Sequence, residues 1–425
     1  MRAPDDKGQR PTTLRRFLSA LGPGVITGAA DDDPSGIATY SVAGAQLGTG
    51  LLWIAVFTWP LMASVQTMCA RIGMVTGKGL MAALSEKFPR PLLLGACVAL
   101  LIANTINIGA DLAGMADAAE LVTHVNSHVW VVVFGVGIAW ATVQWRYKTI
   151  ANTLEWLALV LFAYVITAIK VGPAWREVLH ATLVPSALHG RAAWATLVAI
   201  LGTTISPYLF FWQSSEEVEE EKALGRSSLR QRRGASLVEL GRRRMDVGVG
   251  TFFATVAMYF VMLTTALTLH RAGVRHLETS AQVAEALEPF AGHLATLLYA
   301  LGIVGTGTLA IPTLAGSGAY ALSELLGWRE GMDERFRGAP AFYGVIVVAV
   351  AAGVAMDFAN VSAVRALYLT AVLNGLLAPF LLVGILLAAS DGRLMRGQPS
   401  SRMGRAVVAI ATIAMFGAAV GMVVF

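Results

Sequence analysis

The sequence predicts an all-α polytopic membrane protein of about eleven transmembrane helices. It reads as two five-helix halves of opposite orientation, with helices 1 and 6 broken. Three observations predict this. Of 425 residues, 56% are hydrophobic and only 14% charged, against roughly 25% in a typical soluble domain. The chain therefore lacks the charged skin that a soluble protein of this size needs. Its apolar residues fall in runs of ~20, the length that spans a bilayer as a helix. Two of those runs, about five spans apart, are interrupted mid-run by proline and polar residues. Together these exclude an ordinary cytosolic enzyme, a secreted disulfide scaffold and a disordered chain. A β-barrel would need ~10-residue alternating strands, and these runs are longer and uniformly apolar.

The elements follow in order. Residues 1–20 read as a cytoplasmic N-terminal tail, because Met1–Thr13 is polar and has no signal-peptide apolar run. Apolar runs then lie near 22–48 (interrupted), 50–72, 91–122, 128–146, 149–171, 192–215 (interrupted), 246–270, 291–326, 340–356, 361–389 and 404–425. The membrane domain is placed at 21–402, with a first repeat at 21–171 and a second at 191–390. Residues 403–425 form an additional C-terminal transmembrane helix. Cys69 and Cys97 sit inside apolar runs and read as buried thiols.

The net charge of +5 is mostly orientation. With the N-terminus inside, 26 of the 32 Lys and Arg fall on cytoplasmic segments and 6 on the outer ones. That is the positive-inside pattern. It predicts a multi-pass protein of the inner (plasma) membrane with a cytoplasmic N-terminus. The acidic-then-basic stretch Glu216–Arg244 is expected to form a solvated cytoplasmic helix with ion pairs.

The first interrupted run carries Asp31, Asp32, Asp33, Pro34, Ser35 and Gly36 where an apolar centre should be. The second carries Thr203, Ser206, Pro207 and Tyr208. Proline lacks an N–H and clashes with the carbonyl one turn earlier. Irregular backbone at membrane depth survives only against protein or a watery cavity. Broken helices in corresponding positions of two halves point to a binding site at the midplane. A carboxylate there is expensive and marks an ion or proton path, so Asp33 is the strongest single clue.

At these residues the chain resembles the NRAMP family of divalent-metal transporters. The family carries Asp-Pro-Gly-Asn in span one and Met-Pro-His in span six. Here the matching stretches are Asp33-Pro34-Ser35-Gly36 and Ser206-Pro207-Tyr208. Asp111-Leu112-Ala113 in span three is similar to the family's Asp-Leu-Ala, and Asn152-Thr153-Leu154-Glu155 opens span five in a family-like way. The resemblance implies a LeuT-type 5+5 inverted repeat and uptake of metal ions. It also implies that Asp33 is the metal-binding aspartate. The departures are as informative. The family's asparagine is Gly36, its methionine is Ser206, the alanine three residues earlier is Thr203, and its histidine is Tyr208. The glutamates flanking the span-three aspartate are Asn104 and Gly114, and the span-ten glutamine is replaced near Ala371. Sulfur favours transition metals, whereas carboxylate, carbonyl, hydroxyl and water suit hard cations. Magnesium keeps several of its waters, and short side chains leave room for them. The pattern is similar to the NRAMP-related magnesium transporters, so Mg²⁺, with Mn²⁺ second, is the expected cargo.

The predicted metal ligands are Asp33, Gly36 (through its backbone), Thr203, Ser206 and Asp32. Ala30, Asp31, Ser35, Asn104, Asp111, Tyr208, Gln213 and Asn374 are expected around them or on the ion path. Asp31 and Asp32 read equally as cation-attracting groups or a solvated helix end. Thr203 and Ser206 read equally as ligands or as helix-packing residues. Asn104 and Asn107, three residues apart, read as glue between helices. The histidines show no metal-ligand spacing and read as surface groups. Gly305, Gly307, Gly316 and Gly318 with Pro312 read as close-packing positions. No catalytic residue, cofactor, nucleic-acid partner or ATP site is predicted. There is no Gly-Lys-Ser or Gly-Lys-Thr phosphate loop, and no nucleophile elbow in a strand–helix setting. Two rivals stay open: a proton-coupled Mn²⁺/Fe²⁺ importer of the same family, and an organic-solute permease of the same fold.

Overall fold

A computed structural model describes Gly28 and residues 31–145, 159–357 and 362–425. The tail at 1–20, Ala30 and the opening of span five lie outside the described residues. Among the described residues all regular structure is helical. Eight helices are long and apolar enough to cross a membrane, and two shorter apolar helices accompany them.

The first described helix, α1 (Pro34–Leu47), begins at the first break. Then come α2 (Trp53–Thr76), α3 (Arg90–Thr123), α4 (Ser127–Gln144) and α5 (Phe162–Val171). The sixth span is two helices, α6 (Gly190–Thr204) and α7 (Pro207–Ala223). The last spans are α8 (Leu237–Thr265), α9 (Ala295–Leu326), α10 (Pro340–Met356), α11 (Ala363–Ser390) and α12 (Arg402–Val424). The outer surface carries Val136, Trp140, Phe380 and Ile413, all largely exposed. In water such a surface would aggregate; in lipid it is the solvent-facing layer. Cys69 and Cys97 are free and buried.

Prolines act differently by position. Pro34 and Pro207 open helices at N1, where the missing N–H costs nothing. Pro60, Pro312 and Pro379 lie inside continuous helices, as neighbouring helices in a membrane allow. Small residues let backbones touch. Gly202 of α6 meets the backbone of Ala371 and Gly375 on α11, so a Cβ there has no room. Gly307 and Gly318 of α9 similarly face Met115 and Leu101 of α3.

Two packing groups frame the centre. Helix α3 packs on α4, α9 and α10. Helices α1 and α7 pack on α8 and α2 respectively, and α11 touches α1, α3 and α6. The breaks in α1 and between α6 and α7 therefore lie between the groups.

Two expectations are corrected. The stretch Glu216–Glu221 is not a solvated loop helix. Helix α7 runs through it to Ala223, and Glu216, Glu217, Glu219 and Glu221 are buried. Lys222 pairs with Glu219 and Arg226 with Glu221, and Glu217 meets Arg243 of α8, which is also buried. Arg243 donates to Glu217 at 2.7 Å, to Asp246 at 2.5 Å, and to Glu220. Paired charges tolerate burial that lone ones do not. The ion pairs themselves are as expected, including Arg226 with Glu221 and Glu239. His270 also departs from the surface reading: it is half-buried, with its ring nitrogen 2.7 Å from the Ala45 carbonyl oxygen. His128 of α4 pairs with Asp357 at 2.5 Å.

Candidate functional site

Asp33 is the N-cap of α1 in extended conformation. Its Oδ1 accepts from the Gly36 N–H at 2.7 Å and the Ser35 hydroxyl at 2.8 Å. Its Oδ2 accepts from Asn107 Nδ2 at 3.2 Å. Aspartate before Pro at N1 is a strong helix start, so this residue is both a cap and a buried carboxylate. Gly36 faces the Tyr40 ring and Asp33 Oδ1. Asp31, Asp32 and Asp111 are buried with it.

The second break has the same local form. Ile205 and Ser206 leave the helical conformation and Pro207 restarts it. Ser206 donates to the Gly202 carbonyl at 2.8 Å and the Thr203 carbonyl at 2.6 Å, closing the end of α6. Thr203 lies 3.0 Å from the Ile200 carbonyl oxygen and 3.2 Å from the Tyr40 hydroxyl. Tyr40 and Tyr208 are buried within electrostatic reach of the aspartates. The two breaks are joined through α1: Asp33 opens it, and Tyr40 reaches Thr203 from it.

The acceptors here outnumber the donors. Asp31 Oδ1, Asp32 Oδ1 and Asn107 Oδ1 are buried without a hydrogen-bond partner. Neither oxygen of Asp111 makes a hydrogen bond of ordinary geometry, though the Ser35 N–H lies within its reach. None of the carboxyl groups of Asp31, Asp32, Asp33 and Asp111 pairs with a Lys, Arg or His among the described residues. Buried charge without a partner is costly. The positive N-terminal ends of α1 and α7 offset part of it. Among the described residues no group of three or more His, Cys, Asp and Glu is close enough to hold a bare metal ion. A cation here would therefore use hydroxyl, amide and backbone oxygens or water beside the carboxylates.

The structure places the remaining candidates unevenly. Ser35 lies at the break, as expected. Asn104 is turned away: it donates to the Leu314 carbonyl and to Ser317 of α9, each at 2.9 Å, and so joins helices. Gln213 donates to Glu217 at 2.7 Å, one turn along α7. Asn374 is buried on α11 with its carbonyl oxygen unpartnered. Sequence reasoning missed Asn107 as the partner of Asp33. The signal was present, since Asn107 is four residues before Asp111 and so shares its helix face.

The chain matches the family model described as natural resistance-associated macrophage protein-like (Nramp) over residues 24–425. The divalent metal cation transporter MntH of Klebsiella pneumoniae (strain 342) is 28% identical over 307 residues, covering 70% of this chain and 71% of that one. The protein of the same name from Deinococcus radiodurans is 28% identical over 312 residues, covering 72% and 69%. Among solved structures, a manganese transporter of Eremococcus coleocola, in complex with an aromatic bis-isothiourea substituted compound, superposes with TM-score 0.76 at 18% identity. That match covers 97% of this chain and 89% of the other. Mhp1, a nucleobase-cation-symport-1 family transporter in a closed conformation, gives 0.56 at 15% identity, covering 95% and 92%. These two structures share the fold.

Proposed function

We propose that this chain, which belongs to the Nramp family, is a secondary transporter carrying a divalent metal cation into the cytoplasm by alternating access. Transport of a divalent metal cation is the function named for its relatives, which are transporters and not enzymes. The finer reading is a site biased to hard, hydrated ions, Mg²⁺ first and Mn²⁺ second. The observation that carries it is the group Asp31, Asp32, Asp33 and Asp111, buried without a basic partner among the described residues and surrounded by oxygen acceptors. Oxygen donors suit hard cations, and short residues at Gly36, Thr203 and Ser206 leave room for water.

In this reading Asp33 holds the ion directly or through water, and Asn107 and Ser35 aim its carboxylate. Helices α1, α6 and α7 rock against α3, α4, α9 and α10 around the fixed site. The two halves, 21–171 and 191–390, form the inverted repeat, and the arginine-rich loops face the cytoplasm. Membrane potential is a sufficient drive. Two charges moving inward gain about 4.6 kcal/mol per 100 mV, at ~2.3 each. That is more than a thousandfold in concentration, so proton coupling is weak or absent.

A second reading is the proton-coupled Mn²⁺/Fe²⁺ importer. One observation favours it: the Met115 thioether packs on Gly307 beside Pro34, which brings a soft sulfur near the break. Calorimetric titration of the purified protein with Mg²⁺, Mn²⁺ and Cd²⁺ separates the two. The first reading expects Mg²⁺ and Mn²⁺ to bind and compete, with Cd²⁺ no tighter than Mn²⁺. Tight Cd²⁺ binding that excess Mg²⁺ leaves unchanged would establish the second.

A further inference from the structure

A groove of about 460 Å³ runs between α2, α8 and α12, away from the aspartates. That volume lies within the ~300–1,000 Å³ typical of small-ligand sites. Its two ends differ in chemistry. One end is lined by Arg71 of α2, Arg244 of α8 and Ser400, at the start of α12. The other is lined by Trp59, Pro60 and Ala63 of α2. From Trp59 to Arg71 is twelve residues of helix, about 18 Å at ~1.5 Å each, close to the depth of one leaflet.

The polar end is built for an anion. Ser400 is 6% exposed, lines the groove, and its hydroxyl has no partner among the described residues. Ser401 caps α12 by accepting from the Gly404 N–H at 3.1 Å. The other first-turn amides of this 23-residue helix, with its positive dipole end, sit beside Ser400. Arg71 uses its Nε on the Gln398 carbonyl at 3.1 Å. Arg244 is exposed and makes no ion pair among the described residues. Arg243 also lines the groove but is committed to Glu217, Glu220 and Asp246. The positive charge available to a ligand is therefore that of Arg71 and Arg244.

We propose that this groove binds one anionic phospholipid, its phosphate between Arg71 and Arg244 at the head of α12 and an acyl chain along α2 toward Trp59. A free phosphate would use the polar end alone. The apolar run down one leaflet is what selects the lipid. Basic pockets between helices at this depth suit anionic headgroups.

The test uses full-length protein in nanodiscs, with native mass spectrometry reading the retained lipid, so its outcome is independent of transport. Phosphatidylglycerol is expected to be retained in preference to phosphatidylcholine. Arg244→Gln, an exposed and unpaired position, is expected to cut that retention about fivefold, the equivalent of ~1 kcal/mol per basic group. Ala63→Trp keeps both arginines but fills the apolar run, and is expected to abolish retention. Equal retention of the two lipids, or no effect of Arg244→Gln, would overturn the site. Stabilisation of wild type by millimolar inorganic phosphate that Ala63→Trp leaves intact would overturn the lipid assignment in favour of a free-anion site.

Discussion

In the proposed function Asp33 has two jobs that a single substitution can separate. Its Oδ1 caps α1 through Gly36 and Ser35, while its charge faces the site. Asparagine caps nearly as well as aspartate, whereas alanine costs ~1 kcal/mol. Asp33→Asn is therefore expected to retain the wild-type melting temperature and lose cation binding, measured by thermal shift and calorimetry on one preparation. Asp33→Ala is expected to lose binding and some stability. Asn107 donates to Oδ2, so Asn107→Ala should weaken cation affinity several-fold without abolishing it, since it aims the carboxylate and does not replace it. The break at Asp33 was legible in the sequence because a carboxylate before proline is costly inside an apolar run. Asn107 was legible only as sharing the face of Asp111; that this face turns toward Asp33 depends on how α3 is rotated. Asn104, one turn away, points at α9 instead.

Between helices, the decisive contacts are buried charge and absent side chains. Arg243 holds Glu217, Glu220 and Asp246 together across α7 and α8. Arg243→Ala would strand buried carboxylates, which costs about 3–5 kcal/mol, and the melting temperature should fall sharply. A charge run read alone looks like a solvated face, and only the helix that packs on it reveals burial. Gly307 and Gly318 were readable as packing positions, but their partners were not: they meet Met115 and Leu101 on α3, in the other half of the chain. Outside the membrane, Lys87 lies 2.9 Å from Asp391 and holds that carboxyl low, at about 2. A depressed carboxyl stabilises the fold above its ordinary value of 3.8, and that contribution is lost as pH falls through about 2. The stability difference between wild type and Asp391→Asn should shrink over that window, followed by thermal shift at successive pH values.

Across the whole molecule, the break pattern carried the architecture. Two proline-opened half-helices, α1 and α7, lie between one packing group around α3 and another around α2 and α8. The fold class was legible because a bilayer imposes length and polarity on every helix. Span ends were not, because buried ion pairs carry α7 and α8 past the point where the apolar run stops. Alternating access driven by potential predicts cation uptake into vesicles without acidification in step, followed with an internal pH dye. Everything in this mechanism turns on Asp33 binding a hydrated hard cation. The sharpest test is Mg²⁺ uptake into proteoliposomes under an inside-negative potential, wild type beside Asp33→Asn, with Mn²⁺, Cd²⁺ and Fe²⁺ as competitors. The expected result is wild-type Mg²⁺ uptake that Mn²⁺ inhibits and that Asp33→Asn lacks. Uptake of Cd²⁺ or Fe²⁺ that excess Mg²⁺ does not compete, or full activity in Asp33→Asn, would contradict it.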